Sequence, residues 1–268
     1  MTNGKNVVTN EHGIKKIEAY FDNIKKRGQN LFIPYIVAGD GGLDVLVDRI
    51  KLLEKSGVAA IELGIPFSDP VADGPTIQRA GMRAIRNGVT LKSVLALMEE
   101  TKAERNVPII FMTYFNPVFV YGIEDFAAAC QRAGVDGVII PDVPMEEEFM
   151  IADALKRHHI AFIRLVAMTS TKERKKKLAE ISEGFLYAVS VTGTTGARAN
   201  HDEKVGEYLR SLKQMSKVPV LAGFGVSNHA QARRLSSFCD GVIVGSKIVD
   251  LFHEGKDDEV RRLIEQSL

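Results

Sequence analysis

The stretch IELGIPFSDPVADGP, Ile61 to Pro75, holds three carboxylates, Glu62, Asp69 and Asp73, and no lysine or arginine. Paired acids can divide proton transfer between them, one held neutral and the other ionised. Glu62 ends an apolar run, VAAIELG, in which Ala60 and Glu62 share one face and Ile61 and Leu63 the other. If the apolar pair packs outward, Glu62 faces an interior above a small alanine. Two readings stand for it: a structural carboxylate bound to backbone amides, or a working acid, because an unpaired buried acid is costly and tends to serve a function. Asp73, before Gly-Pro-Thr-Ile-Gln, also suits a helix start with Pro75 in the first turn. Asp69, before Pro70, suits a turn.

A second chemistry is anion binding. Three glycine-bearing segments lie late in the chain, VTGTTGARAN, AGFGVSN and VGSKI. Small residues let backbone N–H groups approach a ligand, and a helix amino terminus favours negative charge. GFGVSN lacks the full dinucleotide fingerprint and no P-loop pattern occurs, which favours a monophosphate over a nucleotide. Glycines that serve only turns are the alternative for any one loop.

Other chemistry-bearing residues are set aside. His158 and His159 end a helix on the stability side of the fold, KERKKK reads as a solvated helix face, and Lys247 in VGSKI resembles a cofactor lysine only superficially. No cluster of histidine, cysteine and acids has metal-ligand spacing. Cys130 and Cys239, far apart and in apolar surroundings, read as small core residues and not as a disulfide framework.

Eight apolar runs position these residues: LFIPYIVAG, VAAIELG, VPIIFMTY, DGVIIPD, IAFIRLVA, FLYAVSV, VPVLAGFG and DGVIVGS. Segments of helical period lie between them, including LDVLVDRIKLLEKSG, GIEDFAAACQRAG, EEEFMIADALKRHH and NHAQARRLSSF, and an extra helix, IKKIEAYFDNIKKRG, precedes the first. Continuously apolar strands mean a parallel sheet covered on both faces. An open doubly wound sheet is possible, but eight βα units in this length favour a (β/α)8 TIM barrel with an extra N-terminal helix and inserted short helices. Similar strand entries, SGVAAIELG, AGVDGVIIPD and FCDGVIVGS, form a weak internal repeat, and no linker divides residues 1–268, so one domain is expected. In such barrels the active site forms beyond the carboxyl ends of the strands. Glu62, Tyr114 and Asp142 end the second, third and fourth strands, Tyr187 lies in the sixth, and the glycine loops follow the last three.

Of the 268 residues, 45% are apolar and 26% charged, as in an ordinary globular protein, and the formal net charge of +1 makes no case for nucleic acid or anionic lipid as a partner. The polar start MTNGKNVVTNEHG lacks the apolar core of a signal peptide, and no run approaches the roughly 20 apolar residues of a membrane span. A cytoplasmic location is expected.

From about Phe32 onward the chain resembles the α subunit of tryptophan synthase. ELGIPFSDPVADGPTIQ is the most specific motif, supported in order by IPYIVAGD, GVIIPDVPMEE, YAVSVTGTTGAR, GFGVS and VGSKIV. The resemblance implies a lyase that cleaves indole-3-glycerol phosphate to indole and glyceraldehyde 3-phosphate. It implies no cofactor on this chain, and a partner β subunit carrying pyridoxal phosphate in an α2β2 heterotetramer. Glu62 and Asp73 fall on the family's catalytic acids, with Tyr187 orienting the carboxylate. Tyr35, Met112, Ile139 and Phe224 would wall the indole, and Gly196, Gly225, Gly245 and Ser246 would hold the phosphate. Thr195 falls in a glycine-bearing loop expected to act as a lid. One departure is visible: AGDGG, at Gly41 and Gly42, replaces the family's proline after AGD and predicts a more flexible loop. Two other functions remain to be separated, another phosphate-sugar barrel isomerase or epimerase, and a barrel kept mainly to activate its β partner.

Overall fold

The computed structural model describes residues 11–189 and 198–268, with backbone only for residues 198–202. Its strands are β1 (Leu31–Val37), β2 (Ile61–Gly64), β3 (Ile109–Met112), β4 (Gly137–Ile139), β5 (Ala161–Phe162), β6 (Arg164–Ala167), β7 (Leu186–Val189), β8 (Val220–Gly223) and β9 (Gly241–Val244). Helix α1 (Ile14–Lys26) precedes them. Between and after the strands come α2 (Leu46–Lys55), α3 (Pro75–Arg86), α4 (Leu91–Glu100), α5 (Phe115–Tyr121), α6 (Ile123–Arg132), α7 (Ala152–Arg157), α8 (Lys172–Ile181), α9 (Arg198–Met215), α10 (His229–Ser236), α11 (Ser246–His253) and α12 (Asp257–Ser267).

Every strand pairing is parallel, in the order β5-β4-β3-β2-β1-β9-β8-β7-β6. The two ends of that order, β5 and β6, are consecutive in the chain and separated only by Ile163. The run IAFIRLVA is thus one barrel strand in two halves, the first laddered to β4 and the second to β7, and the sheet closes through it. Nine segments therefore make the eight-fold TIM barrel.

Two apolar layers follow from the alternation of side chains along each strand. Inside the barrel, Leu31, Ile33, Ala60, Ile110, Ile139, Ile163, Phe185, Leu221 and Ile243 form one cluster. Helix α1 closes its lower end with Ile17, Phe21 and Ile24, all buried. The opposite faces of the strands pack against the helices in a second, larger cluster. The inner cluster fills the lower barrel and leaves the carboxyl ends of the strands open for chemistry.

Two local expectations change. EEEFMIADALKRHH is not one helix: a 3-10 turn over Met145–Met150 meets α7 at Ile151, whose φ is −131°. The break lets Glu148 turn inward, where its carboxylate accepts from Arg164 Nε at 3.0 Å and Nη2 at 2.9 Å. The loop at Gly41 and Gly42 is tied at Asp40, the residue before it. The Asp40 carboxylate accepts from Arg83 Nε and Nη2 at 2.6 and 2.8 Å, and Arg49 donates to the Asp40 carbonyl. Arg83 lies on α3, the helix that follows Asp73, so the clamp joins the first loop to the acid-bearing one.

Candidate active site

At the open end a cavity of about 790 Å3 reaches down to Ile243. Glu62, Tyr35, Met112, Leu165 and Tyr187 line it from five different strands, each two residues above an inner-core position on the same strand. Two glycines make room for the tyrosines: a Cβ on Gly64 would collide with the Tyr35 hydroxyl, and one on Gly223 with the Tyr187 ring. Tyr35 is paired in register with Glu62 across β1 and β2.

Glu62 is fully buried, and among the described residues neither carboxylate oxygen has a hydrogen-bond partner. Burial, with a smaller push from the Asp73 charge, raises its carboxyl to about 8. At neutral pH the group therefore keeps its proton. The structural reading of Glu62 needed amide donors, and it has none.

Asp73 lines the same cavity on the loop before α3 and is half-buried. The N-cap of α3 is Gly74, with no side-chain cap bond, so the Asp73 carboxylate is free of capping. Burial raises Asp73 to about 6, while a hydrogen bond with the Tyr114 hydroxyl opposes the shift. Tyr114 also accepts from the Ala72 amide at 3.0 Å, which pins the acid-bearing loop to the end of β3. The arrangement leaves two acids across one cavity, the deeper one neutral and the shallower one ionised at pH 7. Tyr187 and Tyr35 keep their protons well above the usual tyrosine range, through burial and the facing acids, and so serve as hydrogen-bond donors.

The remaining acids separate. Asp69 is exposed and takes the Ser68 hydroxyl at 2.5 Å in a turn. Asp142, at the end of the fourth strand, accepts the Phe115 amide at 3.0 Å and caps α5.

At the other end of the cavity, Gly225, Gly245, Ser246, Ser227 and Lys247 gather the loops after β8 and β9. Gly245 is the N-cap of α11 and supplies no side-chain cap. Two expected wall residues stand elsewhere. Ile139 lies in the inner core against Met112, and Phe224 packs on Tyr208 with ring centres 6.2 Å apart. Leu165, Ile77, Pro141 and Ile243 supply the apolar walls instead. Thr195 and Gly196 lie outside the described residues. Among the described residues, no group of three or more histidines, cysteines and acids could hold a metal ion.

A family model for the tryptophan synthase alpha chain matches residues 21–267. The chain belongs to that family. It is 57% identical over 256 residues to the tryptophan synthase alpha chain of Oceanobacillus iheyensis, across 96% of this chain and 98% of the relative. It is 47% identical to that of a Bacillus cereus strain, across 94% and 96%. Among solved structures, tryptophan synthase subunit alpha from Legionella pneumophila superposes with a TM-score of 0.85 at 31% identity, over 94% of this chain and 96% of that one. Mycobacterium tuberculosis tryptophan synthase gives 0.85 at 36%, over 96% and 97%. The activity is that of a lyase on indole-3-glycerol phosphate, the alpha reaction of tryptophan biosynthesis.

Sequence reasoning missed Lys247, Asp250, Leu165 and Ser227 as cavity residues. Leu165 was legible in principle, two residues beyond the inward Ile163 on one barrel strand. Lys247 and Asp250 were not, because only the packing of α11 turns them toward the cavity.

Proposed function

We propose that Glu62 protonates the indole ring of indole-3-glycerol phosphate at C3, and that this proton starts the carbon–carbon cleavage. The supporting observation is a buried glutamate with no partner at the bottom of the cavity, held neutral beside an ionised aspartate. Protonation at C3 places positive charge on the ring nitrogen, which the Asp73 carboxylate stabilises through the N–H. The bond from C3 to the glycerol carbon then breaks, its electron pair restores the aromatic ring, and the glycerol hydroxyl loses its proton to Glu62. Indole and glyceraldehyde 3-phosphate leave, and Glu62 has regained the proton it gave. Tyr187 and Tyr35 flank the carboxyl, Tyr187 orienting it, and the apolar walls exclude water from the ring. Backbone amides at Gly225, Gly245 and Ser246, with the Ser246 hydroxyl, receive the phosphate.

The chain works with a tryptophan synthase β subunit in an α2β2 assembly, and pyridoxal phosphate belongs to that partner. The rim of the barrel supports this. Val71, in the loop before Asp73, and Phe119 and Val120, on α5, are 83%, 64% and 77% exposed. Large apolar side chains so exposed near a mouth suit a protein contact. Among the described residues, no helix is long and apolar enough to cross a membrane, and we place the enzyme in the cytoplasm.

The test is indole release from indole-3-glycerol phosphate, with and without β subunit. Release by the wild-type chain, abolished in Glu62→Gln, supports the reading. Isomerised phosphate sugar without indole would point to an isomerase, and activation of β without cleavage to a barrel kept as a partner.

A further inference from the structure

We infer that Lys247 is the cation that pairs with the substrate phosphate and sets the enzyme's selectivity for a phosphorylated side chain. The inference rests on the reading of this cavity as the indole-3-glycerol phosphate site. Besides the neutral Glu62, three charged side chains line the cavity among the described residues, Asp73, Asp250 and Lys247, and only the lysine is positive. Backbone amides and the Ser246 hydroxyl donate hydrogen bonds but carry no net charge. A phosphate dianion entering this cavity meets like charge from Asp73 and Asp250, which a positive side chain offsets.

The local structure shows the same requirement. Lys247 is the second residue of α11, in the turn where the helix dipole disfavours a cation. That turn has no acidic residue, and its N-cap, Gly245, gives no side-chain cap bond. Lys247 is half-buried; among the described residues its charge acts on Glu254, and it forms no hydrogen bond or close ion pair. It sits between the catalytic cavity and a smaller one of about 320 Å3 lined also by Ser227, Asn228, Glu259 and Arg262. A lysine at the positive end of a helix, lining a cavity and without a close ion-pair partner among the described residues, becomes more favourable once an anion binds over that helix end. The phosphate contributes that anion, and the lysine then adds a charge-assisted bond to the amide cradle.

Kinetics and binding of Lys247→Gln and Lys247→Arg test this. In Lys247→Gln, KM for indole-3-glycerol phosphate rises about tenfold while kcat stays within about threefold, as expected for a charged contact that does not take part in bond breaking. The binding of glycerol 3-phosphate, measured by calorimetry, weakens by a similar factor, that of indole is unchanged, and Lys247→Arg restores most of the loss. Raised salt should also weaken glycerol 3-phosphate binding to wild type more than to Lys247→Gln. Unchanged glycerol 3-phosphate affinity in a folded Lys247→Gln, or equal loss of indole and glycerol 3-phosphate affinity, overturns the inference. If wild type binds glycerol 3-phosphate through Lys247 but releases no indole, the cleavage reading fails and the phosphate contact stands.

Discussion

Two acids in this barrel have lost all contact with solvent, Asp136 at its lower end and Glu62 at its mouth. Asp136 is surrounded by donors. The Gly13 amide reaches it at 2.8 Å, the Ile109 amide at 3.0 Å, and Lys16 forms an ion pair at 3.0 Å. It ties α1 to β3 beneath the inner core. Glu62 has no such donor and is pushed toward its neutral form. Equal burial thus gives opposite chemistry: a charge supplied with partners fixes structure, whereas one deprived of them holds a proton ready to give.

Breaking each acid separates the two roles. Asp136→Ala removes the partner of a half-buried lysine and leaves two buried amides without an acceptor. A stability loss of about 3–5 kcal/mol is expected in denaturant titration, with the remaining folded molecules still active. Glu62→Gln should do the reverse: turnover falls by at least ~10²-fold in an indole-release assay while the fold survives. Near-normal turnover in the folded variant would remove Glu62 from the chemistry.

The pH profile sharpens the contrast. Asp73 must be ionised and Glu62 protonated, so kcat/KM should rise through about 6 and fall through about 8, with a maximum between them. Asp73→Asn should impair cleavage and move the upper limb to lower pH, because the Asp73 charge contributes to holding the Glu62 proton. A variant that only melts earlier, with its profile intact, would return Asp73 to a structural role.

The same proton also registers in stability. The folded-state value of Glu62, about 8, lies above that of an unfolded chain, so the folded protein binds the extra proton between those values. Stability is full below the unfolded value, declines as pH rises through the window and levels off above about 8. Glu62→Gln lacks that decline, so its melting temperature relative to wild type should improve from about pH 5 to about pH 8.5. A constant difference would mean that Glu62 titrates normally.

These contrasts also show what the sequence made legible. The eight barrel strands were readable because burial on both faces requires continuous apolar runs, and Glu62 because one acid interrupted such a run. The break at Ile163 was hidden, since IAFIRLVA reads as one largely apolar run with a single charge, Arg164. EEEFMIADALKRHH had helical spacing, but the pull of Arg164 on Glu148 is a tertiary fact. Asp73 read equally well as a cap until Gly74 was seen in that position. Lys247 drew attention only as a superficial motif, and its importance comes from where α11 packs.

The central claim is that Glu62 carries a proton at neutral pH. Infrared difference spectra between wild type and Glu62→Gln, taken across a pH titration, observe that proton directly. A protonated-carboxyl band unique to wild type should be present at pH 7 and disappear near about 8. Loss of that band in the ordinary glutamate range, about 4.3, would contradict the account.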